Sequence, residues 1–266
     1  MVNSFTMRIA GLVIRINHIH DSIRELCRDY AIDSAGSADG AYADGAVTSQ
    51  TMPDCTISVT RQMIERERER ERADAGIWPD DYLETLAVLR AIAERLPALN
   101  RTVFHGATIT YKGRAYVFTA PSGTGKSTHI RLWRRYLGSK MQVINGDKPI
   151  LEFVDSGADA DVDAAVIAHA TPWAGKEGWQ TAQAHAPLGG ICIVTRGTRN
   201  ICRRIDPQTA LPWLMPQIYM PNDSAAAIHT LDLMDRLIRN VPVYLLDCDI
   251  SEAAVHASRS AMCGEG

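Results

Sequence analysis

One short run of residues constrains the fold of this 266-residue chain more than any other. Residues 120–128 read APSGTGKST, with a strand-like run, YVFT, just before them and a good helix former, HIRLWRRYL, just after them. Gly123 and Gly125 can adopt backbone conformations that other residues avoid, so successive N–H groups can turn inward and cradle an anion. A strand, a glycine-rich loop and a helix in this order predict an α/β domain with an anion site at the helix N-terminus.

The same run matches the phosphate-binding pattern G-x-x-x-x-G-K-[ST] at every fixed position except the first, where Ala120 replaces glycine. In this pattern the backbone and the lysine hold the phosphates of a nucleotide, and the hydroxyl after the lysine binds Mg²⁺. We therefore predict a nucleoside triphosphate site in which Ser127 is also a metal ligand. The predicted binding residues are Ser122, Gly123, Thr124, Gly125, Lys126, Ser127 and Thr128.

Phosphoryl transfer also needs a carboxylate, either to hold a metal ion or to act on the attacking group. Two aspartates at the ends of predicted strands are candidates, Asp147 in MQVINGDKP and Asp247 in VPVYLLDCD. Asp247 ends the more hydrophobic strand and fits the usual metal-binding pattern better by composition. Asp147 follows a strand that begins shortly after the predicted loop helix. The strand pattern alone does not decide which of the two aspartates is the carboxylate of the site.

Composition excludes several classes of protein. The chain has 28 basic and 31 acidic residues, a net charge of −3, whereas a general nucleic-acid binder needs a cationic excess to face the phosphates. No apolar run approaches the roughly 20 residues that cross a bilayer. The N-terminal stretch MRIAGLVIRIN is too short and too interrupted by arginine for a signal peptide. We therefore expect a cytoplasmic protein that binds neither nucleic acid nor membranes.

The charges are distributed unevenly along the chain. Residues 1–98 carry a net charge of −5, and residues 99–266 carry +2. Between Arg101 and Lys140 there are eight Lys or Arg residues and no carboxylate. This local cationic tract surrounds the predicted loop and suits a small polyanion such as ATP.

The apolar pattern predicts two regions. Residues 1–98 form an N-terminal α+β region, in which residues 7–16 are expected to be one strand. Residues 99–266 alternate between strand and helix patterns and form the predicted catalytic domain. Residues 33–54 contain no Leu, Ile, Phe or Trp, so they are predicted to be a mobile insert. The alternating charges of ERERERER, residues 65–72, are typical of a solvated helix face or a connector.

Residues 104–128, FHGATITYKGRAYVFTAPSGTGKST, resemble the catalytic core of HPr kinase/phosphorylase. In that family a His-Gly pair opens a strand hairpin that leads directly into the phosphate loop, and an aspartate follows downstream. His105 and Gly106 match the pair, and Asp147 matches the aspartate. The tract SGTGK also resembles the loop of ATP-dependent phosphoenolpyruvate carboxykinase. Nearly the whole chain resembles a group of bacterial HPr-kinase-like proteins, some of which phosphorylate small ribosomal peptides.

The resemblance implies a P-loop kinase core of the HPr kinase/phosphoenolpyruvate carboxykinase type, an α/β fold with a mixed β-sheet and flanking helices. It also implies an ATP- and Mg²⁺-dependent kinase that transfers the γ-phosphoryl group to a Ser or Thr hydroxyl of a peptide or small protein. In the implied site, Asp147 accepts the hydroxyl proton or holds Mg²⁺. His105 donates to the triphosphate or orients Asp147, and Lys176, in TPWAGKEG, closes over the transferring group.

This chain departs from HPr kinase at two positions near the implied site. Gly146 and Asp147 stand where that family has two adjacent aspartates, and Thr128 stands where an acidic residue follows the loop serine. The glycine-rich C-terminal signature of the family is not recognisable either. HPr as the substrate, and phosphorolysis, are therefore not implied.

Other interpretations stay open. The chain could act on a small molecule, as a carboxykinase-like or metabolite kinase does, or it could bind ATP without catalysis and dock another protein. Trp173 and Trp179, which flank the Lys176 loop, suit either a substrate contact or core packing. Lys148 and Arg131 are weaker electrostatic candidates. A peptide or small protein is the expected partner, and the formation of homo-oligomers is left open.

Overall fold

The computed structural model describes residues 3–32, 52–71, 77–121, 123–155 and 166–264. The chain divides into two compact units, Met1–Ile92 and Ala93–Gly266. Most of the predicted mobile insert, residues 33–51, lies outside the described residues, and so does the predicted nucleotide-binding residue Ser122.

In the first unit a three-stranded sheet has the order β1-β2-β3, with β1 at Asn3–Ile9, β2 at Leu12–His18 and β3 at Cys55–Ser58. Strands β1 and β2 are antiparallel and are joined by Ala10 and Gly11, whose φ angles are 48° and 77°. Two positive φ angles in succession are the pattern of a type I′ hairpin turn. The prediction of one strand over residues 7–16 is wrong because the chain reverses at this turn.

Three helices complete the described part of this unit: α1 at Ser22–Leu26, α2 at Arg61–Glu71 and α3 at Asp80–Ala93. The charge-rich run lies on α2, but the predicted solvated face is wrong at Glu67, whose side chain is 2% exposed. Its carboxylate accepts hydrogen bonds from Arg90 Nε (2.7 Å) and Nη2 (3.0 Å) and from Arg70 Nη1 (2.5 Å). These charge-assisted bonds satisfy a carboxylate that would otherwise be costly to bury.

The second unit is built on a mixed sheet that has nine strands within the described residues. The strands are β4 at Arg101–Val103, β5 at Ala107–Tyr111, β6 at Arg114–Thr119, β7 at Met141–Asn145, β8 at Ile150–Phe153, β9 at Val166–His169, β10 at His185–Arg196, β11 at Ile201–Ile205 and β12 at Val243–Cys248. Their order is β4-β8-β9-β10-β6-β5-β7, with β12 also beside β10 and β11 beside β12. The start of β10 pairs with β9, and its later part is parallel to β6 and β12.

The helices of this unit are α4 at Lys126–Leu137, α5 at Pro207–Leu214, α6 at Ser224–Asn240 and α7 at Glu252–Cys263. Helices α4 and α7 pack against the sheet through one apolar core, which includes Phe118, Trp133, Leu246 and Val255. The predicted α/β class, with a mixed sheet and flanking helices, is confirmed. Of the helices in the described segments, none is both long and apolar enough to span a bilayer.

Strand directions bring several chain segments to one edge of the sheet. Strands β6, β7, β10 and β12 all end at this edge, because β5 is antiparallel to both β6 and β7 while β10 is parallel to β6 and β12. Strand β5 begins there. Residues that follow these strand ends, together with His105 just before β5, therefore meet at one place, as ligand-binding residues often do in α/β sheets.

Candidate functional site

The predicted phosphate loop joins β6 to α4. Gly123 and Gly125 have φ angles of 75° and 121°, which glycine adopts at low cost. Lys126 Nζ donates a 2.9 Å hydrogen bond to the carbonyl oxygen of Ala120, so the lysine side chain folds back across the loop. Ser127 and Thr128 continue into the first turn of α4 and are half-buried. The loop therefore has the backbone freedom and the lysine that phosphate binding needs.

Lys126 and Asp147 share one electrostatic environment. Burial lowers the pKa of the Lys126 ammonium, the nearby Asp147 carboxylate raises it, and Lys148 lowers it again. The structure thus brings together the loop lysine and one of the two candidate aspartates, which are 21 positions apart in the chain.

The Asp147 carboxylate is ionised and is held by two side chains, those of Lys148 and His105. Lys148 Nζ donates to its Oδ2 at 2.6 Å, and His105 Nε2 lies 3.3 Å from its Oδ1. Burial alone raises the pKa of Asp147, but the hydrogen bond with His105 and the charge of Lys148 outweigh burial and lower the pKa to about 2. The carboxylate is therefore charged at any physiological pH.

The turn that carries Asp147 is fixed by the buried side chain of Asn145. Its Oδ1 accepts hydrogen bonds from the backbone N–H groups of Asp147 (2.8 Å) and Lys148 (2.7 Å). Its Nδ2 donates to the carbonyl oxygen of Thr171 at 2.9 Å. An amide can both donate and accept in this way, whereas a carboxylate can only accept. Asn145 therefore has a positioning role that its place in the sequence did not reveal.

His105 is held between Asp147 and Gln217. Its Nδ1 is 2.9 Å from Gln217 Oε1, and its backbone N–H donates to the Gln217 carbonyl at 2.7 Å. Thr119 Oγ1, at the end of β6, donates to the His105 carbonyl at 2.8 Å. These contacts fix the imidazole next to the carboxylate, an arrangement that suits the predicted orienting role. Gln217 is 112 positions away and carries no sequence signal for this contact.

The loop of residues 173–179 packs directly on the Asp147 turn. A Cβ added at Gly175 would lie 2.9 Å from Asp147 Cβ, and a Cβ added at Gly146 would lie 2.6 Å from the carbonyl oxygen of Ala174. Lys176 is exposed on this loop. The structure therefore places Gly175, the neighbour of Lys176, beside Asp147, while the Lys176 side chain is exposed.

Arg196, at the end of β10, is a loop contact that sequence reasoning missed. Its Nη2 donates to the carbonyl oxygen of Gly123 at 2.6 Å, and its Nε donates to that of Thr124 at 3.1 Å. The guanidinium thus binds two loop carbonyls and ties the end of β10 to the loop. The only signal in the sequence is an arginine at the end of an apolar strand.

Asp247 lies at the same edge but has a different partner. Its Oδ2 accepts from Arg199 Nη2 at 2.7 Å and from Nε at 3.1 Å, while Oδ1 is buried without a partner in the described part of the chain. A Cβ at Gly197 would overlap Oδ1, at 1.4 Å. Strand β10 separates β12 from β6, and Asp247 is paired with Arg199. The geometry therefore favours Asp147 as the partner of the loop.

A cavity of about 500 Å³ borders the phosphate loop. Its walls combine loop residues, the first turns of α4 and the ends of β10 and β12. The residues that line it include Thr124, Thr128, Leu132, Val194, Arg196 and Ile250. Mixed apolar and polar walls around a volume of this size are typical of small-molecule sites.

The comparisons with known proteins show a likeness to solved structures but none to a family model or a curated protein. Among solved structures, the chain is similar to the Hpr(Ser) kinase/phosphatase from Coxiella burnetii, with 12% sequence identity and a TM-score of 0.30. The match covers 61% of this chain and 93% of that one. We therefore derive the function from the geometry of the site.

His129, on the first turns of α4, also lines the cavity and is buried. Trp133 Nε1 donates to its Nε2 at 3.1 Å. Trp133 Nε1 and His129 Nε2 also lie 3.1 and 3.2 Å from Ser258 Oγ, so the three side chains form one buried cluster. Nδ1 is buried and has no hydrogen-bond partner within the described residues. Burial lowers the pKa of His129 to about 4.

We expect His129 to make the protein sensitive to acid. The unfolded chain binds a proton at this residue near pH 6.5, whereas the folded chain does so only near pH 4, so stability falls between these values and then levels off. The loss at pH 4 is about 3 kcal/mol. Urea unfolding at pH 7, 5.5 and 4.5 measures this decline in the free energy of unfolding. His129→Phe should remove this part of the decline, since Trp133 keeps its bond to Ser258.

The exposed His256 offers a matched control. His256→Phe should keep the wild-type decline in stability with acid. Parallel pH curves for the wild type and His129→Phe would show that the buried ring is not the source of the acid sensitivity.

Proposed function

We propose that this chain is an HPr-kinase-like, ATP-dependent phosphotransferase that transfers the γ-phosphoryl group of ATP to a Ser or Thr hydroxyl of a peptide or small protein. One observation carries the proposal. A glycine-rich loop with its lysine follows β6, and Asp147, which is held by Lys148 and His105, follows β7 at the same end of the sheet. Phosphate binding and hydroxyl positioning, the two requirements of phosphoryl transfer, would thus be met at one edge of the sheet.

The loop and α4 would hold the triphosphate. The N-terminus of α4 and the N–H groups around Gly123 and Gly125 favour an anion. Lys126 would exchange its hydrogen bond with Ala120 for one with a terminal phosphate oxygen. The adjoining cavity, about 500 Å³ in volume, would take the nucleoside.

Asp147 would orient the attacking hydroxyl and receive its proton. With a pKa near 2 it is a weak base, so its main contribution would be position and charge. This is sufficient in phosphoryl transfer, where the transition state is loose and the chemistry depends on alignment and electrostatics. His105 and Asn145 would keep the carboxylate in place.

Mg²⁺ would be held by Ser127 and Asp147. A hydroxyl and an ionised carboxylate beside a phosphate-binding loop are oxygen ligands of the kind that Mg²⁺ prefers. The part of the chain that the structure describes has no group of three or more His, Cys, Asp or Glu side chains arranged for a metal. When bound, Mg²⁺ would neutralise charge on the phosphates.

Transfer from γ-labelled ATP tests the proposal directly. The chain is incubated with Mg²⁺, labelled ATP and two panels, one of Ser- and Thr-containing peptides and one of small hydroxylated metabolites. We expect label on peptide hydroxyls. Label on a metabolite alone would favour the carboxykinase-like alternative. ATP binding by calorimetry with no transfer to either panel would favour a non-catalytic binding module.

Removal of the Arg196 contact should weaken nucleotide binding. Without the guanidinium the carbonyls of Gly123 and Thr124 lose two charge-assisted hydrogen bonds. We expect Arg196→Ala to raise the Kd for ATP by about tenfold, equivalent to part of one such bond. Calorimetry measures the change, and Arg196→Lys should recover part of it. Arg203→Ala, at an exposed position on β11, is the control. Unchanged affinity in Arg196→Ala would contradict the role of this residue.

A further inference from the structure

Strand β7 is an edge strand whose outer side is only partly covered. On its inner side it pairs with β5. On its outer side, Gln180 forms an isolated antiparallel bridge with Asn145, and the Thr181 N–H donates to the Ile144 carbonyl at 3.2 Å. The chain then turns away. This segment therefore covers one end of the outer side of β7, and Thr181 Oγ1 also donates to the Val143 carbonyl at 2.9 Å. On this outer side, no strand among the described residues pairs with residues 141–143.

A second cavity, of about 480 Å³, lies along this uncovered stretch. Residues 141–143 form one wall, and Trp179, Thr181 and Arg134 form others. The exposed edge of a strand offers backbone N–H and C=O groups to an extended peptide, and an adjacent pocket selects its side chains. The cavity thus combines an open edge with an aromatic ring and a cation.

The charge of this cavity is positive. The guanidinium groups of Arg131 and Arg134 lie 5.4 and 5.0 Å from the centre of the Trp179 ring. Arg131 is balanced by Glu177, at 3.0 Å. Arg134 is exposed, forms no ion pair with any described carboxylate, and is the one charged side chain in the lining. An acidic side chain would supply the missing partner.

We propose that an extended, acidic peptide segment adds to the outer edge of β7, with an Asp or Glu side chain on Arg134 and an apolar contact on Trp179. This inference rests on the proposed kinase function and identifies the segment as the docking part of the substrate. Strand β7 leads towards Asp147, and the four steps from Val143 to Asp147 span at most about 13 Å of chain. The docking segment therefore lies within about four extended residues of the phosphorylated hydroxyl.

Peptide binding without nucleotide tests the docking surface. The probe is a fluorescein-labelled 11-residue peptide with Glu and Val alternating around a central Ser, and a Lys-for-Glu version is its counterpart. Fluorescence anisotropy with the full chain should show binding of the acidic peptide about tenfold or more tighter, as one charge-assisted bond allows. Arg134→Glu should abolish that preference. Arg135→Glu, on the next residue and outside the cavity lining, should keep it.

Two N-methylated versions of the acidic peptide test strand addition itself. Only every second N–H of an added strand faces the edge of β7. One peptide is N-methylated at its odd-numbered residues and the other at its even-numbered residues. We expect an affinity loss of about tenfold for only one of the two. Equal losses for both versions would overturn the proposal. So would equal effects of Arg134→Glu and Arg135→Glu, or self-association of the wild type that Arg134→Glu removes.

This binding measurement is independent of catalysis. If the acidic peptide binds as described but no label is transferred from ATP, the proposed function fails and the docking surface stands. If peptides are phosphorylated with no preference for acidic flanks, the docking proposal fails alone. The milder variant Arg134→Gln gives the same comparison if Arg134→Glu does not fold.

Discussion

Asp147→Asn should lower the rate of phosphoryl transfer by about 10²- to 10⁴-fold, the usual contribution of a positioned acid–base group. The amide keeps the shape of the side chain but loses its charge and its capacity to receive a proton. ATP should still bind to the variant. Without Mg²⁺, binding should even tighten, because the lost carboxylate is a negative charge close to Lys126. A large fall in kcat with intact nucleotide affinity is therefore the expected signature.

Single-turnover transfer from labelled ATP and calorimetry measure the two quantities separately. Asp155→Asn is a suitable control, since Asp155 pairs with Arg236 on the surface, at 2.8 Å. The decisive comparison is with Asp247→Asn. If that variant is inactive while Asp147→Asn retains full activity, the assignment of the carboxylate is wrong.

Gly146→Asp should abolish the proposed phosphoryl transfer although it introduces the pair of adjacent aspartates found in HPr kinases. A Cβ at this position would lie 2.6 Å from the Ala174 carbonyl oxygen and 3.2 Å from that of Trp179. Both atoms belong to the backbone, so the loop of residues 173–179 must shift away from Asp147. We expect a loss of about 1–3 kcal/mol in stability, as for other overpacked sites. A shift of about 1 Å at a site of this kind reduces the rate by about 10²-fold.

Thermal unfolding and the transfer assay check both effects. Gly146→Ala carries the Cβ alone and should reproduce most of the loss. Gly190→Ala is the matched control, because its added Cβ would meet a movable side-chain atom of Tyr244, at 3.2 Å. A stable, active Gly146→Asp variant would show that the loop adapts and that this glycine is not required by packing.

Local signals predicted much of the second unit correctly. Lys112 and Gly113 have φ angles of 50° and 74° and form the turn of the hairpin between β5 and β6, which the resemblance implied. Helix α4 begins at Lys126, directly after the glycine-rich loop, as expected. In both places the conformation depends on a few adjacent residues, so the sequence pattern is sufficient.

Sequence patterns did not predict the contacts that join distant parts of the chain. The burial of Glu67 depends on Arg90, which lies on another helix. The positioning role of Asn145 depends on its hydrogen bond to Thr171, which is distant in the chain. Arg196 and Gln217 reach the site from 73 and 112 positions away from their partners Gly123 and His105. No periodicity or motif in the sequence predicts such residue pairs, because the pairs depend on the order of the strands in the sheet.

The sequence by itself determined that this chain has a glycine-rich loop between a strand and a helix, since glycine conformation and helix initiation are local properties. The tertiary structure decided which aspartate accompanies that loop. Asp147 and Asp247 both end strands at the same sheet edge, and composition favoured Asp247. The antiparallel strand β5 places β7 so that Asp147 shares the charge environment of Lys126, whereas Asp247 is bound to Arg199 beyond β10. Sheet order arises from long-range pairing, and only the folded chain displays it.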